Sequence, residues 1–158
     1  MVEALSEKLA LVGYVSTSYG FAASSRQTAT IDMDIFRRAM VILQGKVSST
    51  VATTNGGLIL KIFDATNTGK CATTALITMA GLQLPTTTRA YQCIAEVRSE
   101  MLGMKTARPG TGRFFRARVV NGTLKAIANV IVLGDTARYG PASEYDLSTV
   151  AEIETDAD

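Results

Sequence analysis

The sequence predicts an all-β protein, an antiparallel β-sandwich of about eight strands, similar to a jelly roll. Three observations indicate this class. Apolar and polar residues alternate with a period of two in several short segments. Turns rich in Gly, Asn, Asp and Pro separate those segments, and no long segment shows the period of a helix. A chain of 158 residues is long enough for one such domain with its own core.

The clearest periodicity begins at Thr28. Its apolar side carries Ala29, Ile31, Met33 and Ile35, and its polar side carries threonine and aspartate residues. This pattern predicts a half-buried strand over residues 28–35.

After a break predicted at residues 36–38, the alternation resumes as a second strand. Ala39, Val41 and Leu43 face one way, and Met40, Ile42 and Gln44 face the other. Because the second side has little polar surface, we expect a central strand that is covered on both faces.

Further segments with strand patterns occur on both sides of this pair. They are residues 9–15, 58–63, 72–79, 91–98, 115–119 and 124–133. Residues 72–79 also fit a helix, but their threonines and short length favour a strand. The Asn121-Gly122 dipeptide favours a type I′ turn, which predicts that the last two segments form a β-hairpin. Residues 16–27 are expected to be an ordered surface loop or an arm on another subunit.

The composition limits the chemistry that the chain can perform. Histidine is absent, which excludes Ser-His-Asp and Cys-His mechanisms and imidazole metal sites. Cys71 and Cys93 read as two small buried hydrophobic residues, although a disulfide between them stays open. A net charge of +2 gives no reason to expect nucleic acid or a membrane as partner. No apolar run approaches the roughly 20 residues of a membrane helix and no glycine-rich loop opens a helix, so we expect a soluble protein without a nucleotide cofactor.

Asp32 and Asp34 lie two residues apart in the first predicted strand. On one strand face they could bind a metal or act as an acid–base pair. The alternative, which we favour, is a solvated outward face or a salt bridge between subunits.

A basic cluster contains Arg113, Arg116 and Arg118, with Lys105 and Arg108 upstream. Phe114 and Phe115 interleave with these arginines, as in surfaces that contact phosphates and stack on bases. Because no RNA-binding signature accompanies the cluster, a face that contacts a charged protein partner is the favoured interpretation, and ordinary solvated charge is the alternative.

Several stretches together resemble a family of small virion proteins of tailed bacteriophages, encoded among the head genes. They are the opening SSRQTATIDMDIFRRAMVIL, the strand AYQCIAEVRSEML and the ending DTARYGPASEYDLSTVAEI. The resemblance extends from Leu5 to Ile153, and Arg138-Tyr139-Gly140-Pro141-Ala142 is its most distinctive motif.

The resemblance implies a non-enzymatic structural protein without cofactor, metal or small-molecule substrate, most simply a cement or decoration protein on the outer surface of the capsid. Its partner would be the major capsid protein, and it would be made in the host cytoplasm. A head–tail connector or tail component is one alternative. A small ligand-binding or enzymatic cytoplasmic β-sandwich is another.

The alternation also predicts the core and a face for self-association. The inward set is Ile31, Met33, Val41, Leu43, Leu60, Ile62, Tyr91, Val97, Phe115, Val119, Val130 and Val132. On the opposite side, Ile59, Phe63, Ile127 and Ile131 are too apolar to face water together, so we expect a homo-oligomer, either a trimer or a dimer.

The C-terminal segment has a different character. Residues 1–137 are predicted to form the sandwich domain and residues 138–158 an acidic arm, since all six charged side chains after Arg138 are acidic. The predicted partner-binding residues are Arg113, Arg116, Arg118, Arg138, Tyr139, Tyr145, Leu147, Val150 and Ile153. With residues 1–7, the arm is expected to extend along a neighbouring subunit and bury its apolar side chains there.

Overall fold

The computed structural model describes residues 9–17, 25–47, 58–79, 90–103, 112–121 and 126–137. The strands in these ranges are β1 (Leu9–Ser16), β2 (Ser25–Gln27), β3 (Ile31–Asp32), β4 (Phe36–Val47), β5 (Leu58–Ala65), β6 (Ile77–Met79), β7 (Ala90–Arg98), β8 (Phe114–Asn121) and β9 (Ala126–Ala137). A single turn of 3-10 helix, Ser99–Met101, follows β7. Within these ranges no helix is long and apolar enough to cross a membrane.

The strands form two antiparallel sheets. The four-stranded sheet has the order β1-β9-β4-β7, and the five-stranded sheet has the order β2-β8-β5-β6, with β3 also paired to β8. If β2 and β3 are counted as one interrupted strand, the first strand pairs with the last, the second with the second-last, and so on inward. The pairs are β1–β9, β2/β3–β8, β4–β7 and β5–β6. The predicted all-β antiparallel sandwich is confirmed by these two sheets.

The core lies between the two sheets, where the inward positions of both meet in one cluster. The predicted core residues Ile31, Met33, Val41, Leu43, Leu60, Ile62, Val97, Phe115, Val119, Val130 and Val132 are each at most 2% exposed. The side chain of Tyr91 lies outside the described residues. Period-two alternation therefore identified the buried side correctly at these eleven positions.

The first predicted strand is shorter than its alternation suggested. Only β3 is extended, residues 33–35 form a turn, and β4 begins at Phe36, so the break predicted at 36–38 lies three residues earlier. Ala29 is exposed, whereas Thr28 is buried. The Thr28 side chain is held inside because its Oγ1 accepts a hydrogen bond of 3.1 Å from the Ala117 amide.

The strand β4 has the central position that was predicted, with β9 on one side and β7 on the other. Its inward residues Ala39, Val41 and Leu43 are buried, but Met40 on the other side is 37% exposed. Within a single chain the outer face of β4 is therefore not covered, and the prediction that both faces are covered is wrong.

The predicted hairpin of the last two segments is also wrong. The strand β8 pairs with β2, β3 and β5, whereas β9 pairs with β1 and β4 in the other sheet. The chain crosses the sandwich between Asn121 and Ala126, and residues 122–125 lie outside the described part. Phe115 of β8 and Val130 of β9 consequently meet within one core cluster instead of lying side by side in one sheet.

Two ambiguous segments are partly described. The region 72–79 contains the short strand β6, as favoured, preceded by an irregular stretch in which Leu76 is buried. The long turn predicted over 101–112 begins with Leu102 and Gly103, and residues 104–111 lie outside the described part. Gly103 has a φ of 78°, and its amide donates a 3.1 Å hydrogen bond to the buried carboxylate of Asp64. The predicted boundary before residue 138 coincides with the end of the described residues.

Candidate interaction surfaces

The outer face of the four-stranded sheet carries a continuous row of large apolar side chains. The strand register places Tyr14 beside Ile131, Ile131 beside Ile42, and Ile42 beside Ile94. Tyr14 is 51% exposed and Ile94 is 58% exposed, and the two central isoleucines are half-buried. One apolar row therefore crosses all four strands, with its most exposed members on the two edge strands.

A second apolar row lies beside the first. Leu11 pairs with Leu133, and Leu133 pairs with Met40. We call the two rows together the apolar band, which consists of Leu11, Tyr14, Met40, Ile42, Ile94, Ile131 and Leu133. The large hydrophobic side chains that are exposed among the described residues, Tyr14, Met40 and Ile94, all belong to it.

Polar rows border the apolar band on both sides. On one side Arg38 pairs with Asp135 at 2.6 Å, and Arg98 beside Arg38 pairs at 2.7 Å with Glu96, which ends the Met40 row on β7. On the other side Ser16 donates a 2.8 Å hydrogen bond to Asn129. An apolar centre with a polar rim is the usual anatomy of a protein–protein interface.

At the edge of the apolar band, a depression of about 160 Å³ lies between Met40, Ile94 and Arg38. Ligand pockets usually enclose roughly 300–1,000 Å³ and bury most of the ligand. The shape of this face therefore favours contact with a protein surface over binding of a small molecule.

The four residues predicted to form one self-association face do not share a face. Ile59 and Phe63 lie on the outer side of the five-stranded sheet, whereas Ile127 and Ile131 lie on the outer side of the four-stranded sheet. Phe63 is only 6% exposed. The signal that was missed is Ile94, an apolar residue between the outward-facing Gln92 and Glu96 on β7.

The outer side of β8 carries two of the three arginines predicted as partner-binding residues. Arg118 donates hydrogen bonds of 3.0 and 3.3 Å to Gln27 Oε1, and its guanidinium lies 4.5 Å from the centre of the Phe63 ring. Arg116 donates a 3.0 Å hydrogen bond to Thr30 Oγ1. Both side chains are therefore held by contacts within this sheet.

Arg113 precedes β8 and binds the two predicted carboxylates. Its Nε donates a 2.7 Å hydrogen bond to Asp32 Oδ1, a second nitrogen contacts Asp32 Oδ2, and a third lies 3.1 Å from Asp34 Oδ2. Asp34 is exposed, which agrees with the favoured solvated face, and both carboxylates pair with Arg113 of the same chain. Arg113 also lies 5.0 Å from the centre of the Phe114 ring, whereas Phe115 is fully buried in the core.

The pKa of Asp32 reflects this environment. Partial burial raises the pKa, but the Arg113 hydrogen bonds, the Asp34 amide and the Arg113 charge outweigh burial and bring it below the usual value of 3.8. The pair is therefore ionised near neutral pH. Among the described residues no group of three or more His, Cys, Asp or Glu is arranged to hold a metal ion.

Cys71 and Cys93 are both free and half-buried, so they do not form a disulfide with each other. Burial raises the pKa of the Cys93 thiol. The binding role predicted for Arg113, Arg116 and Arg118 stays a prediction. Arg138, Tyr139, Tyr145, Leu147, Val150 and Ile153, together with Lys105 and Arg108, lie outside the described residues.

No protein-family model matches the chain, and no curated protein matches it. Among solved structures, it is similar to a chain of infectious bursal disease virus, Gx strain, with 13% identity and a TM-score of 0.42 over 86% of this chain and 34% of that one. The VP2 subviral particle of infectious bursal disease virus gives 11% identity and a TM-score of 0.41, over 86% and 34%. The enzymatically active domain of bacteriophage CBA120 tailspike protein 4 gives 8% identity and a TM-score of 0.40, over 81% of this chain and 19% of that one.

The chain thus spans about a third of the length of the two infectious bursal disease virus chains. At these TM-scores the likeness carries no argument about function, which is argued below from the surface of the sandwich and from the sequence.

Proposed function

We propose that this chain is a non-enzymatic structural protein of a tailed-bacteriophage virion, a cement or decoration protein bound to the outer surface of the capsid. The observation that carries the proposal is the apolar band. It spans the four-stranded sheet, and Tyr14 and Ile94 on its edge strands are each more than half exposed.

Leaving the apolar band exposed to water costs free energy. Each Å² of apolar surface removed from water stabilises a complex by about 25 cal/mol. The backbone beneath the band is held by hydrogen-bonded pairing along β4 and β9, residues 36–47 and 126–137. A preformed face of this kind loses little conformational entropy on binding, which favours a protein that works by assembly.

The assignment to a virion is supported by the sequence. The stretches DTARYGPASEYDLSTVAEI and AYQCIAEVRSEML resemble tailed-phage head proteins. Under this proposal the sandwich is the rigid body, and the predicted arms at residues 1–7 and 138–158 attach it to the major capsid protein.

The test is co-sedimentation with capsids that lack this protein. Purified chain is mixed with tail-less heads and, separately, with isolated tails, and each mixture is run on a density gradient. Saturable binding to heads, at a fixed ratio to the major capsid protein, is the expected result. Binding to tails alone would identify a tail component instead, and binding to neither would contradict the proposal.

A further inference from the structure

We infer that the apolar band is covered by a second copy of this chain, related by a two-fold axis that runs parallel to the strands between β4 and β9. The inference rests on the assembly role proposed for the apolar band and names the partner at that site. Such an interface is isologous, because the same face contributes to both sides.

The strand order of the sheet suits this axis. In the order β1-β9-β4-β7, the rotation places β4 of one copy over β9 of the other and β1 over β7. Tyr14 then faces Ile94 of the second copy, so the two most exposed apolar side chains, 51% and 58% exposed, meet at both edges. Ile131 faces Ile42 of the second copy at the centre.

The charges of the rim favour the same axis. Arg38 and Asp135 are neighbours on β4 and β9 and form a 2.6 Å salt bridge. The rotation brings Arg38 opposite Asp135 of the second copy, which creates a group of four alternating charges. Such complementarity sets the orientation of an interface more than its affinity.

No like charges oppose each other among the described residues of the band and its rim. Glu96 and Arg98 on β7 face Leu9 and Leu11 on β1 of the second copy. With a two-fold axis perpendicular to the strands, Arg38 would instead face the uncharged row that contains Gln44. That arrangement gives the rim charges no partner across the interface.

The size of the face indicates a weak dimer. Strands about 4.8 Å apart and same-face residues about 6.8 Å apart give four strands and four rows an area of roughly 500 Å² per copy. The sum for two copies, about 1,000 Å², lies at the lower limit for a specific interface. Association is therefore measured over a wide concentration range.

The orientation is tested by cross-linking single-cysteine variants. In a background of Cys71→Ser and Cys93→Ser, the variants Tyr14→Cys and Ile94→Cys are treated, alone and mixed, with a bis-maleimide whose length matches the spacing of packed sheets, about 10 Å. The expected product is a dimer that forms in the mixture and much less with either variant alone. Thr78→Cys, exposed on the other sheet, is the control and should give none.

A dimer cross-linked within the Tyr14→Cys sample alone would overturn the proposed axis. The face itself is tested by Ile94→Glu, which is expected to raise the dissociation constant of the dimer at least tenfold in sedimentation equilibrium, whereas Thr78→Glu leaves it unchanged. Unfolding in urea verifies that both variants fold. A monomer at every concentration, without cross-links, would refute the inference.

The outcomes separate this inference from the proposed function. A chain that dimerises through the apolar band but binds no capsid would contradict the capsid role alone. A monomer that binds capsids would contradict the dimer alone.

Discussion

The guanidinium of Arg118 lies over the ring of Phe63, 4.5 Å from its centre, on the outer side of the five-stranded sheet. Phe63 is 6% exposed although it faces away from the core. The long arginine side chain covers an aromatic ring that would otherwise face water, and the attraction between cation and ring adds to that cover. The contact is one reason why the described residues of this sheet form no exposed apolar row comparable to the apolar band.

Replacing Arg118 should uncover Phe63. Arg118→Ala is expected to lower the free energy of unfolding by about 1 kcal/mol, from the lost cation–π contact and packing. The free energy of unfolding of Arg118→Lys should lie between those of Arg118→Ala and the parent, because lysine keeps the charge but not the planar group. Urea denaturation measures both. Arg26→Ala, at an exposed position on β2, is the control, and an equal effect there would contradict this explanation.

Gly134 should not tolerate a side chain. A Cβ at this position would lie 2.7 Å from the Phe36 ring, so Gly134→Ala is expected to cost about 1–3 kcal/mol of stability. In a Phe36→Leu background the same change should cost less, with a coupling of at least about 0.5 kcal/mol. Gly112→Ala is the control, because its Cβ would meet its nearest neighbour at 3.5 Å, an ordinary contact. Additive effects in thermal or urea unfolding would show that the ring is not the obstacle.

The Arg113–Asp32 pair predicts a pH dependence of stability. Since the pKa of folded Asp32 lies below 3.8, its contribution is complete above that value and is lost as the pH falls through the folded-state pKa. Arg113→Gln should therefore be less stable than the parent near neutral pH, by under about 1 kcal/mol because the pair is partly exposed. The difference should shrink in acid. Urea unfolding over a pH series, with Arg37→Gln as control, tests this, and a difference that grows in acid would contradict it.

Leu43 is the core position where truncation is most direct to interpret. It is 1% exposed on the inward side of β4, and Leu43→Ala is expected to cost about 2–5 kcal/mol. Gln44→Ala, the next residue on the exposed side, should change stability by less than about 0.5 kcal/mol. A loss below about 0.5 kcal/mol for Leu43→Ala in urea would mean that the register of β4 is wrong.

The C-terminal segment is expected to attach the sandwich rather than to stabilise it. Deletion of residues 142–158, which contain six acidic side chains and the apolar Tyr145, Leu147, Val150 and Ile153, should leave the midpoint of unfolding nearly unchanged. The same deletion should weaken binding to capsids in the sedimentation assay. Tight binding by the truncated chain, or its failure to fold, would refute the predicted arm.

The inward side of each strand could be predicted because it depends on a local property. Val97, for example, alternates with the charged residues Glu96 and Arg98, and the period of two places such residues on one face whatever the strand pairs with. The same alternation indicated the all-β class and the central position of β4. No knowledge of partners was needed for any of these conclusions.

Only the tertiary structure decided which sheet each strand joins. The Asn121-Gly122 signal describes a local turn, and it does not determine whether β9 returns beside β8 or crosses the sandwich, since that depends on pairing with β1 and β4 far away in the sequence. The apolar band depends on the same pairing. Tyr14, Ile42, Ile94 and Ile131 are distant in the chain, and hydrogen-bonded register across four strands is what brings them into one row.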